Sequence, residues 1–145
     1  MLLARLTHGL IAAGACALLA PWRADAAPAG EAVFLAHCAV CHGAQAAGIP
    51  GSFPALHEQI AAFAQNSPGR DYLVMVVTTG LTGALRVEGV DYRGVMPAQS
   101  TLSEADVAAA LNYIASGLGK RKSAARAFTA QEVISVRARR DQSLS

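Results

Sequence analysis

Two cysteines lie three residues apart in this chain, and a histidine follows the second one directly. The segment reads CAVCH, with Cys38, Cys41 and His42 at its fixed positions. C-x-x-C-H is the attachment motif of c-type haem. The two thiols bond to the haem vinyl groups as thioethers, and the histidine then lies under the ring, where one of its nitrogens can bind iron. The motif therefore predicts one covalent haem c with its iron.

Two other kinds of site share parts of this pattern. A thioredoxin-like dithiol also shows C-x-x-C, but it requires a β-α-β context, and no strand–helix–strand pattern surrounds the motif. A zinc site requires two further ligands of suitable type. Only His37 and His57 are strong candidates for that role after residue 26, and no second cysteine pair exists there. The sequence therefore supports a dithiol site or a zinc site less well than a haem site.

Residues 1–26 are typical of a secretory signal peptide, with Arg5 before an apolar run over residues 10–20 and a small-x-small cleavage site ending at Ala26. A retained membrane anchor is the alternative, but a spanning helix needs about 20 apolar residues. Lipoprotein processing at Cys16 is disfavoured because the residues before it lie inside the run. We therefore expect export to the periplasm and no permanent membrane span after cleavage.

The composition indicates a small folded domain whose side chains alone provide little apolar surface for a core. The chain has 145 residues, 53% hydrophobic and 15% charged, which excludes an ordinary disordered protein. Its net charge of +2 excludes the strongly basic character that is typical of a nucleic-acid-binding protein. Aromatic residues make up only 6%, and alanine buries little area. A buried haem would supply the apolar surface that the side chains lack.

The charge changes sign near residue 120. Residues 27–119, the predicted domain, hold three basic and seven acidic residues, a net charge of −4. Residues 120–145 hold seven basic and two acidic residues, a net charge of +5. A capping box at Thr129 and Glu132 predicts a short helix over about residues 130–139 of this extension. Its basic face is either solvated or a docking element.

Helical patterns dominate the predicted domain. Apolar spacing predicts a helix over residues 30–41 and a short one carrying Leu56, Ile60 and Phe63. The segment 72–80 has β-branched residues that favour a strand, but Asp71 before it and Gly80 after it favour a helix. Four glycines predict an irregular segment over residues 80–96. Ser103 is the expected cap of the last helix of the domain.

Several of these positions resemble the class I cytochromes c, over roughly residues 30–118. Gly30 and Phe34 precede the motif as the first-helix glycine and aromatic do in that family, and Tyr92 to Pro97 resembles its Y-x-x-x-M-P segment. The sequence Leu111-Asn112-Tyr113-Ile114 is similar to the aromatic-bearing last helix. The resemblance implies an all-α cytochrome c-like fold, with three to five helices around one covalently bound haem.

The resemblance also implies roles for single residues. Pro54 would give its carbonyl to the second ring nitrogen of His42. Met96 would be the second axial ligand. Beside it, Tyr92 and Arg93 are expected either to hydrogen-bond a haem propionate or to be exposed to solvent. The pocket walls would include Leu81, Leu85, Val90 and Val95.

The residues themselves leave alternatives for the sixth iron position. Met75 lies in the apolar run LVMVV, where a core role is expected, whereas Met96 lies in a glycine-rich segment before Pro97. The position could also stay open or be filled by His57, which we interpret as a surface residue. Tyr72 is expected to pack rather than to bind.

The function that follows is electron transfer rather than catalysis. With both axial positions filled, the iron has no vacancy for a substrate. The expected partners are redox proteins: a periplasmic dehydrogenase or reductase and a terminal oxidase. The alternatives are a haem subunit of a dehydrogenase complex and, from a different class, an open-site haem enzyme or gas sensor.

Overall fold

Helices make up most of the computed structural model, which describes residues 29–56, 58–118 and 124–143. The proposed signal peptide and His57 lie outside these residues. The described elements are α1 (Ala29–His37), α2 (Ala39–His42), α3 (Glu58–Phe63), α4 (Ser67–Thr79), β1 (Leu81–Val87), β2 (Val90–Met96), α5 (Glu104–Ala115) and α6 (Ala130–Ser143). No helix in these ranges has the length and apolar character needed to cross a membrane.

The expectation of an all-α fold is wrong, because residues 81–96 form an antiparallel hairpin rather than an irregular segment. Val87 pairs with Val90 and Leu81 pairs with Met96. The two residues of the turn, Glu88 and Gly89, have φ values of 49° and 81°. Positive φ at both positions gives a turn whose twist matches that of paired strands. Glycine therefore closes a hairpin here.

Two helix starts are set by side-chain caps. Ser103 caps α5, and its Oγ accepts a hydrogen bond from the Asp106 amide at 3.2 Å. The helix predicted for residues 72–80 is present but begins earlier, at Ser67. Asn66 caps it by accepting from the Gly69 amide at 2.9 Å, so Asp71 is not the cap. The segment NSPG, residues 66–69, thus provides the cap and the first turn of α4.

The first and fifth helices cross at a glycine. A Cβ on Gly30 would overlap the Ala109 carbonyl oxygen and come within 2.9 Å of the Tyr113 Cβ. Phe34, fully buried, packs its ring 5.6 Å from that of Tyr113. This crossing sets the position of the end of α1, where the cysteine motif begins.

Helix α6 packs on α4 and α5. Val133 and Val136 on its inner face are buried in the main core, together with Phe128 just before it. The Asn112 side chain on α5 both donates to the Phe128 carbonyl (3.0 Å) and accepts from the Phe128 amide (2.7 Å). The basic extension therefore contributes to the core, and its solvated face is only one side of α6.

Candidate cofactor site

The two cysteines lie at the junction of α1 and α2. The Cys38 amide donates to the Phe34 carbonyl at 2.8 Å, which continues α1, and the His42 amide donates to the Cys38 carbonyl at 2.9 Å. Both cysteine side chains are half-buried. Burial raises the pKa of the Cys38 thiol, and the nearby Cys41 adds to this effect. One turn of helix thus presents both thiols and the histidine together.

The orientation of His42 is set by a single hydrogen bond. Its Nδ1 atom lies 2.8 Å from the carbonyl oxygen of Pro54, and the residue is only 8% exposed. A carbonyl oxygen can only accept, so Nδ1 carries the proton and Nε2 keeps its lone pair. Burial lowers the pKa of His42, with a smaller opposing effect from the Pro54 bond. The neutral ring is the form that binds a metal.

His42 opens onto a cavity of about 250 Å³. Cys41, Phe53 and Pro54 line it beside His42, and Met96 lines it from the end of β2. Apolar side chains from α3, α4 and the hairpin complete the wall: Ile60, Leu73, Val76, Leu81, Leu85 and Val95. Val90, which was expected in this wall, does not line it. A histidine nitrogen, a thioether and an apolar wall around one cavity fit a haem and its iron.

Comparison with known proteins points to one family. Residues 25–114 match the family described as cytochrome c oxidase, cbb3-type, subunit III. Cytochrome c-552 of one Thermus thermophilus strain is 40% identical over 116 residues, which are 79% of this chain and 78% of that protein. A second cytochrome c-552 of Thermus thermophilus is 40% identical over 114 residues, 77% of this chain and 87% of the relative.

The chain belongs to the c-type cytochromes. Membership implies haem c with its iron and a role in electron transfer. The residues of this cytochrome that line the cavity are the candidates for contact with the haem.

The two methionines of the predicted domain lie in different surroundings. Met75 packs against the main core, among residues such as Leu73 and Val107. Met96 lines the cavity that His42 lines. In the described ranges, no three His, Cys, Asp or Glu side chains form a group that could hold a metal ion by themselves.

Tyr92 and Arg93 lie on opposite faces of β2, since neighbouring strand residues alternate. Tyr92 is buried and lines the cavity. Arg93 is exposed and is not among the lining residues, whereas Arg86 of β1 is. Tyr72, expected to pack, also lines the cavity, and its ring packs against that of Phe63 in a tilted arrangement with ring centroids 5.4 Å apart. Strand alternation accounts for the difference between Tyr92 and Arg93 but not for Arg86, which follows the lining residue Leu85.

Proposed function

We propose that this cytochrome is an exported single-haem electron carrier, with haem attached through Cys38 and Cys41 and ligated by His42 and Met96. The observation that carries the proposal is the cavity between the Pro54-bonded His42 and the end of β2, where Met96 lies. When bound, haem supplies an iron that cycles between Fe(II) and Fe(III). Histidine and methionine together raise its potential, because a neutral, soft thioether does little to stabilise the extra charge of Fe(III).

The residues of the chain hold the ligands and exclude water. Pro54 holds the His42 ring in one orientation and one tautomer, as partners of metal-bound histidines do. Tyr92 and Leu85, directly paired across the hairpin, cover the cavity from the side of the sheet. With both axial positions filled from within the fold, no position is left for a substrate. These features favour a carrier over an open-site enzyme or gas sensor.

The N-terminal pattern supports a periplasmic location. We propose cleavage after residue 26, a cytochrome domain over residues 27–119 and an extension over residues 120–145. Electrons would pass between this cytochrome and redox proteins such as a periplasmic dehydrogenase or reductase and a terminal oxidase. Weak, transient contact suits such exchange.

The surface next to the motif is suited to contact without charge. Residues 38–56 and 94–103 contain no Asp, Glu, Lys or Arg. Val40, between the two cysteines, is 83% exposed, and Val95, next to Met96, is 69% exposed. A partner would therefore meet an apolar, uncharged surface beside the exposed edge of the cavity.

The two methionines give a direct test of the ligation. Met96→Ala in the haem-loaded protein should abolish the red charge-transfer absorption that marks an iron–methionine bond and should permit rapid cyanide binding. Met75→Ala is the matched control and should keep the absorption. If the pattern is reversed, Met75 is the ligand. If the wild-type spectrum lacks the feature, rapid cyanide binding identifies the open site and slow binding a histidine such as His57 in the sixth position.

A further inference from the structure

Two glycines with positive φ lie against the backbone segments that carry the two axial sides of the cavity. Gly80 has a φ of 79°, and a Cβ built on it would lie 2.5 Å from the Met96 carbonyl oxygen and 2.9 Å from the Ala98 nitrogen. Real Cβ atoms do not approach backbone so closely. The space between Gly80 and residues 96–98 therefore exists only because position 80 has no side chain.

Two further contacts place this segment against the end of α4. Leu81, the residue after Gly80, pairs with Met96 in the hairpin register. On the other side, the Gln99 amide donates to the Val77 carbonyl at 2.9 Å. Met96 is thus held between the C-terminus of α4 and the first pair of the hairpin, with Gly80 at the point of closest approach.

Gly48 has the same relation to the segment that carries Pro54. Its φ is 65°, and a Cβ built on it would overlap the Phe53 carbonyl oxygen and lie 2.6 Å from the Pro54 carbonyl carbon. Its amide donates to the His42 carbonyl at 2.9 Å. Gly48 therefore touches both residues of the His42–Pro54 hydrogen bond through backbone atoms alone.

We propose that Gly48 and Gly80 are positioning residues for the axial ligands, one on the histidine side and one on the methionine side. The proposal rests on the proposed ligation by His42 and Met96. Any side chain at position 80 would push residues 96–98 away from α4 and shift the thioether. Any side chain at position 48 would push the Pro54 carbonyl away from the His42 ring. Both effects come from lost space, in addition to the strain of a left-handed backbone.

The chain contains two glycines that serve as controls for a positive φ. Gly89 has a φ of 81° and Gly51 a φ of 77°, and a Cβ on either meets no atom within 4 Å. An alanine at these positions also has a positive φ, but without the close approach to backbone. Comparing each pair tests whether the close approach, rather than a positive φ alone, affects the ligands.

On the methionine side, the test compares Gly80→Ala with Gly89→Ala in the haem-loaded protein. Gly80→Ala should weaken or shift the iron–methionine absorption and bind cyanide about tenfold faster than Gly89→Ala. Gly89→Ala should keep the wild-type absorption while losing thermal stability. Equal spectra and equal cyanide rates in the two variants would overturn the assignment of Gly80.

On the histidine side, Gly48→Ala is compared with Gly51→Ala. The His42 Nδ1 proton, followed by NMR, should exchange with solvent about tenfold faster in Gly48→Ala, because its hydrogen bond to Pro54 is lengthened. Gly51→Ala should leave that exchange rate unchanged. An unchanged rate in Gly48→Ala would show that the Pro54 segment does not depend on Gly48.

A measurement on the wild type covers the case in which a variant does not fold. In low urea, exchange of the Gln99 amide should increase together with loss of the iron–methionine absorption, because one segment carries both. Loss of the absorption with Gln99 still protected would overturn the proposal. Met96→Ala tells the two failures apart: if it keeps the absorption, the proposed ligation is wrong, and otherwise only the positioning is.

Discussion

Arg70 of α4 and Glu132 of α6 form an ion pair with two parallel hydrogen bonds, Nε to Oε1 and Nη2 to Oε2, each 2.7 Å long. Their side chains are only 6% and 13% exposed. The Arg70 guanidinium also lies 3.8 Å above the centre of the Phe128 ring and donates to the carbonyls of Ala64 and Arg126. The buried charge of Arg70 therefore requires the Glu132 carboxylate to neutralise it.

Glu132→Ala should lower the free energy of unfolding by about 3 kcal/mol or more, because it leaves the Arg70 charge buried without its carboxylate. Urea denaturation of the haem-loaded protein measures the change. Asp91→Ala is the control, since it breaks the exposed pair with Arg86, whose side chains are 70% and 64% exposed. That change should stay below about 1 kcal/mol. Equal losses in the two variants would contradict the buried pair.

Glu132 also predicts a dependence of stability on pH. The hydrogen bond from Arg70, with the charges of Arg70 and Arg126, lowers the pKa of Glu132 below its ordinary value of 4.5, against an opposing effect of burial. The unfolded chain therefore takes up the proton at higher pH than the folded one. The contribution is fully present above pH 4.5 and is lost as the pH falls through the folded-state pKa.

The variant that isolates this effect is Glu132→Gln. Its free energy of unfolding should be lower than that of the wild type at neutral pH, and the difference should shrink as the pH falls below 4.5. Urea titrations at a series of pH values measure both curves. A difference that stays constant over this range would assign the acid sensitivity to other groups.

The sign of the stability change in Gly30→Ala tests the close crossing of α1 and α5. Alanine is the better helix former by about 1 kcal/mol, so the change would stabilise an isolated α1. In the folded protein it should instead destabilise by about 1–3 kcal/mol, because the new Cβ overlaps the Ala109 carbonyl at the crossing with α5. Thermal unfolding followed by circular dichroism checks the direction. A rise in the melting temperature would show that the helices separate there at little cost.

The uncharged surface beside the motif predicts how added charge alters electron exchange. Val40→Lys should increase the rate of oxidation by anionic ferricyanide about threefold at low ionic strength, and salt should remove the increase. Stopped-flow absorbance measures the rate. Ile134→Lys on α6 is the control, since Ile134 is exposed but lies outside the cavity wall. The same increase in both variants would mean that electrons do not leave beside Val40.

The site could be predicted from the sequence where local pattern determines it. The C-x-x-C-H motif occupies one short run of the chain, and the Ser103 cap acts within one helical turn. The hairpin was missed because the glycines in residues 80–96 suggested a break, whereas strand pairing joins residues as distant as Leu81 and Met96. The register of a hairpin depends on both of its strands, so the sequence of one strand alone does not predict it.

The buried ion pair could not be predicted for a similar reason. Arg70 and Glu132 are 62 positions apart, and the capping box at Thr129 explained Glu132 without a partner. The cap at Asn66 is also hard to predict from sequence, because a proline and a glycine follow it and both are typical of loops. Proline in the first turn of a helix loses no hydrogen bond, so this segment is compatible with either structure.

Several opposite charges among the described residues are far apart in sequence but close together in space. Two arginines of α6 form ion pairs with acidic residues of the domain: Arg139 with Asp71 at 2.7 Å and Arg137 with Glu104 at 2.6 Å. Among the described residues, these contacts pair basic side chains of the extension with acidic side chains of the domain, so they reduce the separation of charge between the two segments. Charges paired in this way contribute little to orienting a protein in the field of an approaching partner. Where these pairs lie, orientation in an encounter depends on short-range contact, after diffusion has brought two surfaces together.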